Sequence, residues 1–295
     1  MKMKGSDMGS EAQLILSDLR ASRRQVFAEL AGLPEERLNV PAPWGGREFD
    51  ARFILLRYAD HEEEHALQVR KTLDGFGWRQ TEAQQILGAA QVTRGDLYGA
   101  LLGLTDADLD LAPAGEWPLR LTLWHIAQSE RTYRAATGWA AELHRAGREW
   151  EPNERPEQIA EDGDFATFIG HLDKEREELL EQLTGIEDEA MTAPTVWAEI
   201  RVDVRFRLMR VAHHEREHTA HILKWRGQVG RPLTDPQRLL ANAWRARGVL
   251  EGHLVGLPDD LLDREPANGD ATIRALLAHV QRTENILKGR ALGQA

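Results

Sequence analysis

Apolar residues recur along this chain at intervals of three and four. EAQLILSDLRASRRQVFAEL, LYGALLGL and FATFIGHLDKEREELLEQL all carry the pattern, which gathers their apolar positions on one face of an α-helix. Alternating runs rich in Val, Ile and Thr are scarce, so no sheet is expected. Pro and Gly interrupt the pattern at Leu33-Pro34, Pro41 to Gly46, Gly75 to Gly77, Ala112 to Pro118, Trp150 to Pro156, Gly227 to Pro232 and Pro266 to Gly269. Such clusters end helices. The spacing predicts an all-α protein of eight helices, near 11–33, 50–74, 82–104, 118–146, 164–186, 202–227, 235–256 and 271–290. Thr81 before Glu82 and Thr234 before Asp235 occupy helix N-cap positions.

The pattern also repeats. With residue 61 laid on residue 214, an offset of 153, PAPWGGREFDARFILLRYADHEEEH aligns without a gap on PTVWAEIRVDVRFRLMRVAHHEREH. Pro41, Trp44, Asp50, Arg52, Phe53 and Arg57 meet Pro194, Trp197, Asp203, Arg205, Phe206 and Arg210. Thr81 and Gln84 meet Thr234 and Gln237 at the same offset. One extra residue then brings LWHIAQSE onto LAHVQRTE, so that His125 meets His279 and Glu130 meets Glu284. A period this long exceeds a solenoid unit and suits a small helical bundle, which reads as a tandem duplication of four helices.

Composition narrows the chemistry. The 295 residues include no cysteine, which removes disulfides, thiolate nucleophiles and thiolate metal ligands. The formal net charge is −11, opposite to the basic face that nucleic-acid binders use, so no nucleic-acid partner is expected. No window approaches eighteen uninterrupted apolar residues, so neither a membrane span nor a membrane partner is expected. MKMKGSDMGS at the start has two lysines without a following apolar region, and reads as a tail or cloning remnant rather than a secretory leader. A cytoplasmic location is the expectation.

Eleven histidines are present, and three pairs coincide in the internal alignment: His61/His214, His65/His218 and His125/His279. His213, His221, His171 and His253 face Asp60, Gln68, Asp18 and Ala100, and His144 has no counterpart. His214 and His218, like His61 and His65, stand at i and i+4, so their rings project from one helix face about one turn apart. His125 lies in the apolar stretch LTLWHIAQ on another helix, and facing helices bring such groups together inside a bundle. Three imidazoles with open positions describe a reactive type of metal site. A lone histidine on an apolar face is more often a satisfied core residue, and an HxxxH pair on a charged helix more often a surface feature. The coincidence of the same three positions in both halves outweighs those readings. The expected ligands are His125, His214 and His218 in one set and His61, His65 and His279 in the other.

His214-Glu215-Arg216-Glu217-His218 and His61-Glu62-Glu63-Glu64-His65 also read as H-E-x-x-H, with Glu215 or Glu62 as the general base of a zinc peptidase. That reading leaves His125/His279 unexplained, and TAHILKW lacks the Gly and His of the extended motif. Arg57 and Arg210 lie one turn before His61 and His214. Ion pairs with Asp50 and Asp203 are the expectation for them, with substrate carboxylates as the alternative. Glu130 and Glu284 point off the histidine face, toward roles as groups supporting the ligands or as polar contacts of the bundle. The tryptophans read as core rather than as a substrate platform.

At these residues the chain resembles the DinB-like superfamily of bacterial four-helix-bundle metalloenzymes. WPLRLTLWHIAQSE, Trp117 to Glu130, is similar to that family's second-helix motif, and His214 with His218 matches its H-x-x-x-H on the fourth helix. The resemblance covers one bundle in family order, roughly 86–228; 11–75 resembles helices three and four, and 235–290 resembles helices one and two. It implies a contiguous bundle over 82–230 and a second, circularly permuted one from 11–81 and 231–295. The alternative is that each tandem copy folds on itself, uniting His61 and His65 with His125. PANGDATIRALLAHVQRTE lacks a tryptophan where the first copy has Trp117.

The resemblance further implies a divalent metal (Zn, Ni, Fe or Mn), a small-molecule substrate and a low-molecular-weight thiol cosubstrate. The implied activity is that of an S-transferase or isomerase, with a non-catalytic metal-binding or stress-response module as the alternative. The chain would be an internal pseudo-dimer, monomeric or a homodimer.

Overall fold

The computed structural model describes residues 10–294. The tail expected over the first ten residues lies outside these, Ser10 apart. Among the described residues there are eight α-helices: α1 (Ser10–Leu30), α2 (Ala51–Gly75), α3 (Glu82–Leu101), α4 (Leu119–Arg145), α5 (Phe165–Leu183), α6 (Val204–Gln228), α7 (Asp235–Leu254) and α8 (Ile273–Leu292). Their boundaries follow the chemistry of the ends. The Asp50 and Asp203 side chains accept from the backbone N–H of Phe53 and Phe206 at 2.8 Å and start α2 and α6. Thr234 and Gln237 form a reciprocal capping box at the start of α7, and Thr81 and Gln84 exchange the same two bonds ahead of α3.

One expectation fails. A two-stranded antiparallel hairpin, β1 (Pro194–Trp197) and β2 (Ile200–Asp203), precedes α6. Its two-residue turn places Ala198 at φ 46° and Glu199 at φ 67°, the left-handed region that such hairpins require. At the 153 offset stand Gly45 and Gly46, with φ 60° and 75°, between the bridged pair Trp44 and Arg47. Four-residue strands closed by Ala-Glu lack the Gly or Asn turn that reveals a hairpin in sequence.

The helices sort into two compact units. The first contains, among the described residues, Gln80–Ala90 and Leu104–Arg231. In it α4 packs on α5 and α6, burying Leu123, Ile126, Leu172, Leu179, Leu208 and Ile222. The second contains residues 10–79, Gln91–Gly103 and 232–294. There α2 packs on α7 and α8, and α1 on α8, around Leu16, Leu19, Val69, Leu73, Leu250, Ile273 and Leu277. The second half of α3 belongs to this unit, and glycine permits its approach to α7. A Cβ on Gly95 would stand 2.4 Å from the Trp244 carbonyl oxygen, and one on Gly248 2.5 Å from that of Gln91.

Each unit holds a buried arginine that joins three helices. In the first unit Arg176, from α5, is 1% exposed. Its Nε donates to Glu130 of α4, its Nη2 to Glu215 of α6 at 3.1 Å, and its Nη1 to the Ala90 carbonyl of α3 at 2.6 Å. In the second unit Arg23, from α1, donates to Glu284 of α8, to Glu62 of α2, and to the Ala243 carbonyl of α7 at 2.7 Å. Arg247 adds bonds to Glu62 at 2.9 Å and to Glu284 at 3.0 Å. Buried charges persist only when paired in this way. Burial alone would raise the Glu62 carboxyl, but Arg23 and Arg247 bring it down to about 2.

Candidate metal centre

The arginine pins set the height at which histidines face each other. Glu215 follows His214 directly, and Glu130 lies five residues beyond His125 on α4. Fixing both carboxylates to Arg176 ties α4 to α6 close to their histidines. His125 Nε2 lies 3.0 Å from His214 Nε2, and His218 Nε2 3.1 Å from His214 Nε2. In the second unit His61 Nε2 stands 3.2 Å from His279 Nε2 and 3.0 Å from His65 Nε2. Among the described residues, these are the two groups of three or more such side chains that could hold a metal ion. The grouping of His61 and His65 with His125 does not occur.

Neutral imidazoles at this separation cannot all satisfy one another, because a pair shares at most one proton. Two nitrogens each ~2.0–2.1 Å from one ion stand roughly 3.0–3.4 Å apart, the spacing found here. Burial favours the neutral form that a metal needs. Burial, with the neighbouring rings adding to it, lowers His214 to about 3, His218 to about 4 and His61 to about 4. Burial also lowers His125 and His279. His218 Nδ1 is buried with no hydrogen-bond partner, whereas His65 Nδ1 stands 2.8 Å from Gln68 Oε1.

A cavity of about 180 Å³ opens beside the first triad, lined by Trp117, Thr122, His218, His221, Ile222 and Trp225 among others. Trp117 is 48% exposed, and its ring centroid lies 5.2 Å from that of His125. It is therefore not the core residue expected of the tryptophans. Trp225 and Trp244 are buried, as expected, and Trp44, Trp78, Trp124, Trp139, Trp150 and Trp197 are half-buried. The Tyr133 ring centroid lies 5.6 Å from that of His214.

The expected partners of two arginines are corrected. Arg57 pairs with Asp60 and Glu64. Arg210 pairs with Glu217 at 3.2 Å, donates to His213 Nδ1 at 2.6 Å and lies over the Trp197 ring. Asp50 and Asp203 are instead occupied as helix caps. Glu130 and Glu284 are bundle contacts, each bonded to a buried arginine. Arg23, Arg176 and Arg247 were missed because an arginine in a helical pattern reads as solvated. The signal was available, since Arg23 and Glu62 meet Arg176 and Glu215 at the same 153 offset.

No described helix is long and apolar enough to cross a membrane. No curated protein and no solved structure matches the chain. Residues 89–222, which carry His125, His214 and His218, match the family model of the DinB superfamily, and the match supports assignment of this stretch to the DinB-like superfamily.

Proposed function

We propose that the protein is a divalent-metal-dependent enzyme of the DinB-like type. It acts on a small molecule with a low-molecular-weight thiol as cosubstrate, in an S-transfer or an isomerisation. The observation that carries this reading is the convergence of the His125, His214 and His218 ring nitrogens beside a cavity. The ligands would be these three in the first unit and His61, His65 and His279 in the second, holding Zn, Ni, Fe or Mn. A divalent ion with an open position favours ionisation of a thiol or a water bound there. With no cysteine in the chain, the nucleophile comes from outside it. Trp117 and Trp225 offer flat apolar walls to the substrate, and burial of His61, His125, His214 and His218 favours their unprotonated form.

The organisation we propose is a duplication in which the second bundle is a circular permutation built from both chain ends. Its supports are the correspondence of the two arginine pins and the two histidine sets at offsets of 153 and, after the one extra residue, 154. The peptidase reading is disfavoured because Glu215 and Glu62, its candidate bases, are bonded to buried arginines. A non-catalytic metal-binding module would share the ligands and lack turnover. A cytoplasmic monomer or homodimer without nucleic-acid or membrane partners completes the proposal.

Metal analysis of the purified protein tests it. Wild type should carry two equivalents of metal, and His218→Ala and His65→Ala one each. Thiol-dependent turnover should vanish with EDTA and return with added metal. Protein that binds no stoichiometric metal would overturn the reading, and metal binding without any thiol-dependent turnover would favour the non-catalytic module.

A further inference from the structure

The two triads match in their ligands and in the arginine pins beside them, and differ in three neighbouring side chains. Trp117, against His125, is replaced at the corresponding position by Ala271. Tyr133, whose ring meets His214, is replaced by the buried Leu287. The residue three positions after the last histidine of HxxxH is His221 in one unit and Gln68 in the other. His221 faces the cavity, with its ring 5.3 Å from that of His218. Gln68 instead bonds to its histidine: the His65 Nδ1–H donates to Oε1 at 2.8 Å. That bond fixes the His65 tautomer and leaves the Nε2 lone pair aimed at His61 and His279. Partners of this kind commonly change metal affinity by about 10- to 100-fold.

We propose that the two triads are functionally unequal. Substrate is handled only at His125, His214 and His218, with Trp117 and His221 as its substrate-facing groups. His61, His65 and His279 hold a retained ion that braces the second unit. The inference rests on the metal reading above and goes beyond it by dividing the work between the sites. His279 is exposed, so burial does not account for retention; Gln68 does. The retained ion also joins α2 to α8, elements whose ligands are separated by 218 residues of chain, so its loss loosens the unit made from both termini. The first triad lacks the equivalent bond, since His218 Nδ1 is buried without a partner. Its ion exchanges faster and stands open to the cavity.

Full-length protein loaded with two equivalents of Zn²⁺ and mixed with excess chromogenic chelator tests the division. Release should occur in two phases of one equivalent each. His218→Ala should remove the fast phase and His65→Ala the slow one. Gln68→Leu, which keeps all six ligands, should speed the slow phase by about 10- to 100-fold and leave the fast phase alone. Thermal melting should show a larger fall in midpoint after the slow ion leaves than after the fast one leaves. A single phase of two equivalents would overturn the division while leaving the metal reading intact. So would a slow phase that disappears in His218→Ala or is unaltered by Gln68→Leu. Failure to bind Zn²⁺ at either site would remove both.

Discussion

Glu215→Gln separates two readings of one motif. In an H-E-x-x-H peptidase this change removes a general base and leaves the fold untouched. Here the Glu215 carboxylate is 2% exposed and accepts from Arg176 Nη2 at 3.1 Å. A hydrogen bond to a charged group contributes about 1.5–3 kcal/mol. The full penalty of a stranded buried charge, about 3–5 kcal/mol, is not reached because Arg176 keeps Glu130 and the Ala90 carbonyl. At roughly 2–4 °C per kcal/mol for a domain of this size class, the melting midpoint should fall by roughly 3–12 °C. Differential scanning calorimetry measures the shift, and metal analysis on the same sample reports whether the triad stays loaded. An unchanged midpoint together with abolished hydrolysis of a peptide substrate would refute the assignment of Glu215 to the arginine pin and revive the peptidase.

Other substitutions test other parts of the architecture. Glu199→Gly relieves a left-handed backbone at φ 67° and should raise stability by about 1 kcal/mol, read from the urea midpoint. Gly248→Ala drives a Cβ to 2.5 Å from the Gln91 carbonyl oxygen and should cost roughly 1–3 kcal/mol. Gly170→Ala on α5, where nothing lies within 4 Å, should instead gain up to about 1 kcal/mol of helix propensity. Protein stripped of metal should weaken as pH falls from 7.5 to 5. His61, His214 and His218 titrate near 4, 3 and 4 when folded and near 6.5 when unfolded, so the unfolded chain takes up protons first. Their contribution is present in full above about 6.5 and declines toward the folded values. The decline is at most about 1.4 kcal/mol per histidine for each pH unit crossed, and less at His61 and His218, which solvent partly screens. Urea midpoints at the two pH values decide it, and an equal or higher midpoint at pH 5 would contradict the burial argument.

How much of this was legible depends on which physical force dominates each element. Helix positions were readable because a 3.6-residue period, Pro and Gly breaks, and threonine caps act locally, as at Thr81 and Thr234. The β1–β2 hairpin was not, because four-residue strands carry almost no period, and Ala198-Glu199 holds its turn without a glycine. The histidine positions stood out only through internal comparison, since no single one is distinctive. The partners of Arg57 and Arg210 were misjudged because Asp50 and Asp203 serve backbone N–H groups, a demand that one-dimensional charge spacing does not register. Arg23 and Arg176 left a trace only in the 153 offset they share with Glu62 and Glu215, and spacing along a single helix does not reveal their burial. Their neutralisation comes from glutamates on two other helices, and such pairing is a tertiary fact.

The second unit draws α1 and α2 from the beginning of the chain and α7 and α8 from its end, which has a consequence for biosynthesis. While a ribosome makes this protein, α1 and α2 emerge first and must wait until roughly two hundred further residues have been added. At about 5–20 residues per second that delay is on the order of 10–40 s, during which α2 lacks α7 and α8, the helices it packs against most. Chaperone protection of the nascent N-terminal segment is therefore expected, and release of a truncated chain before α8 would leave a product prone to aggregate.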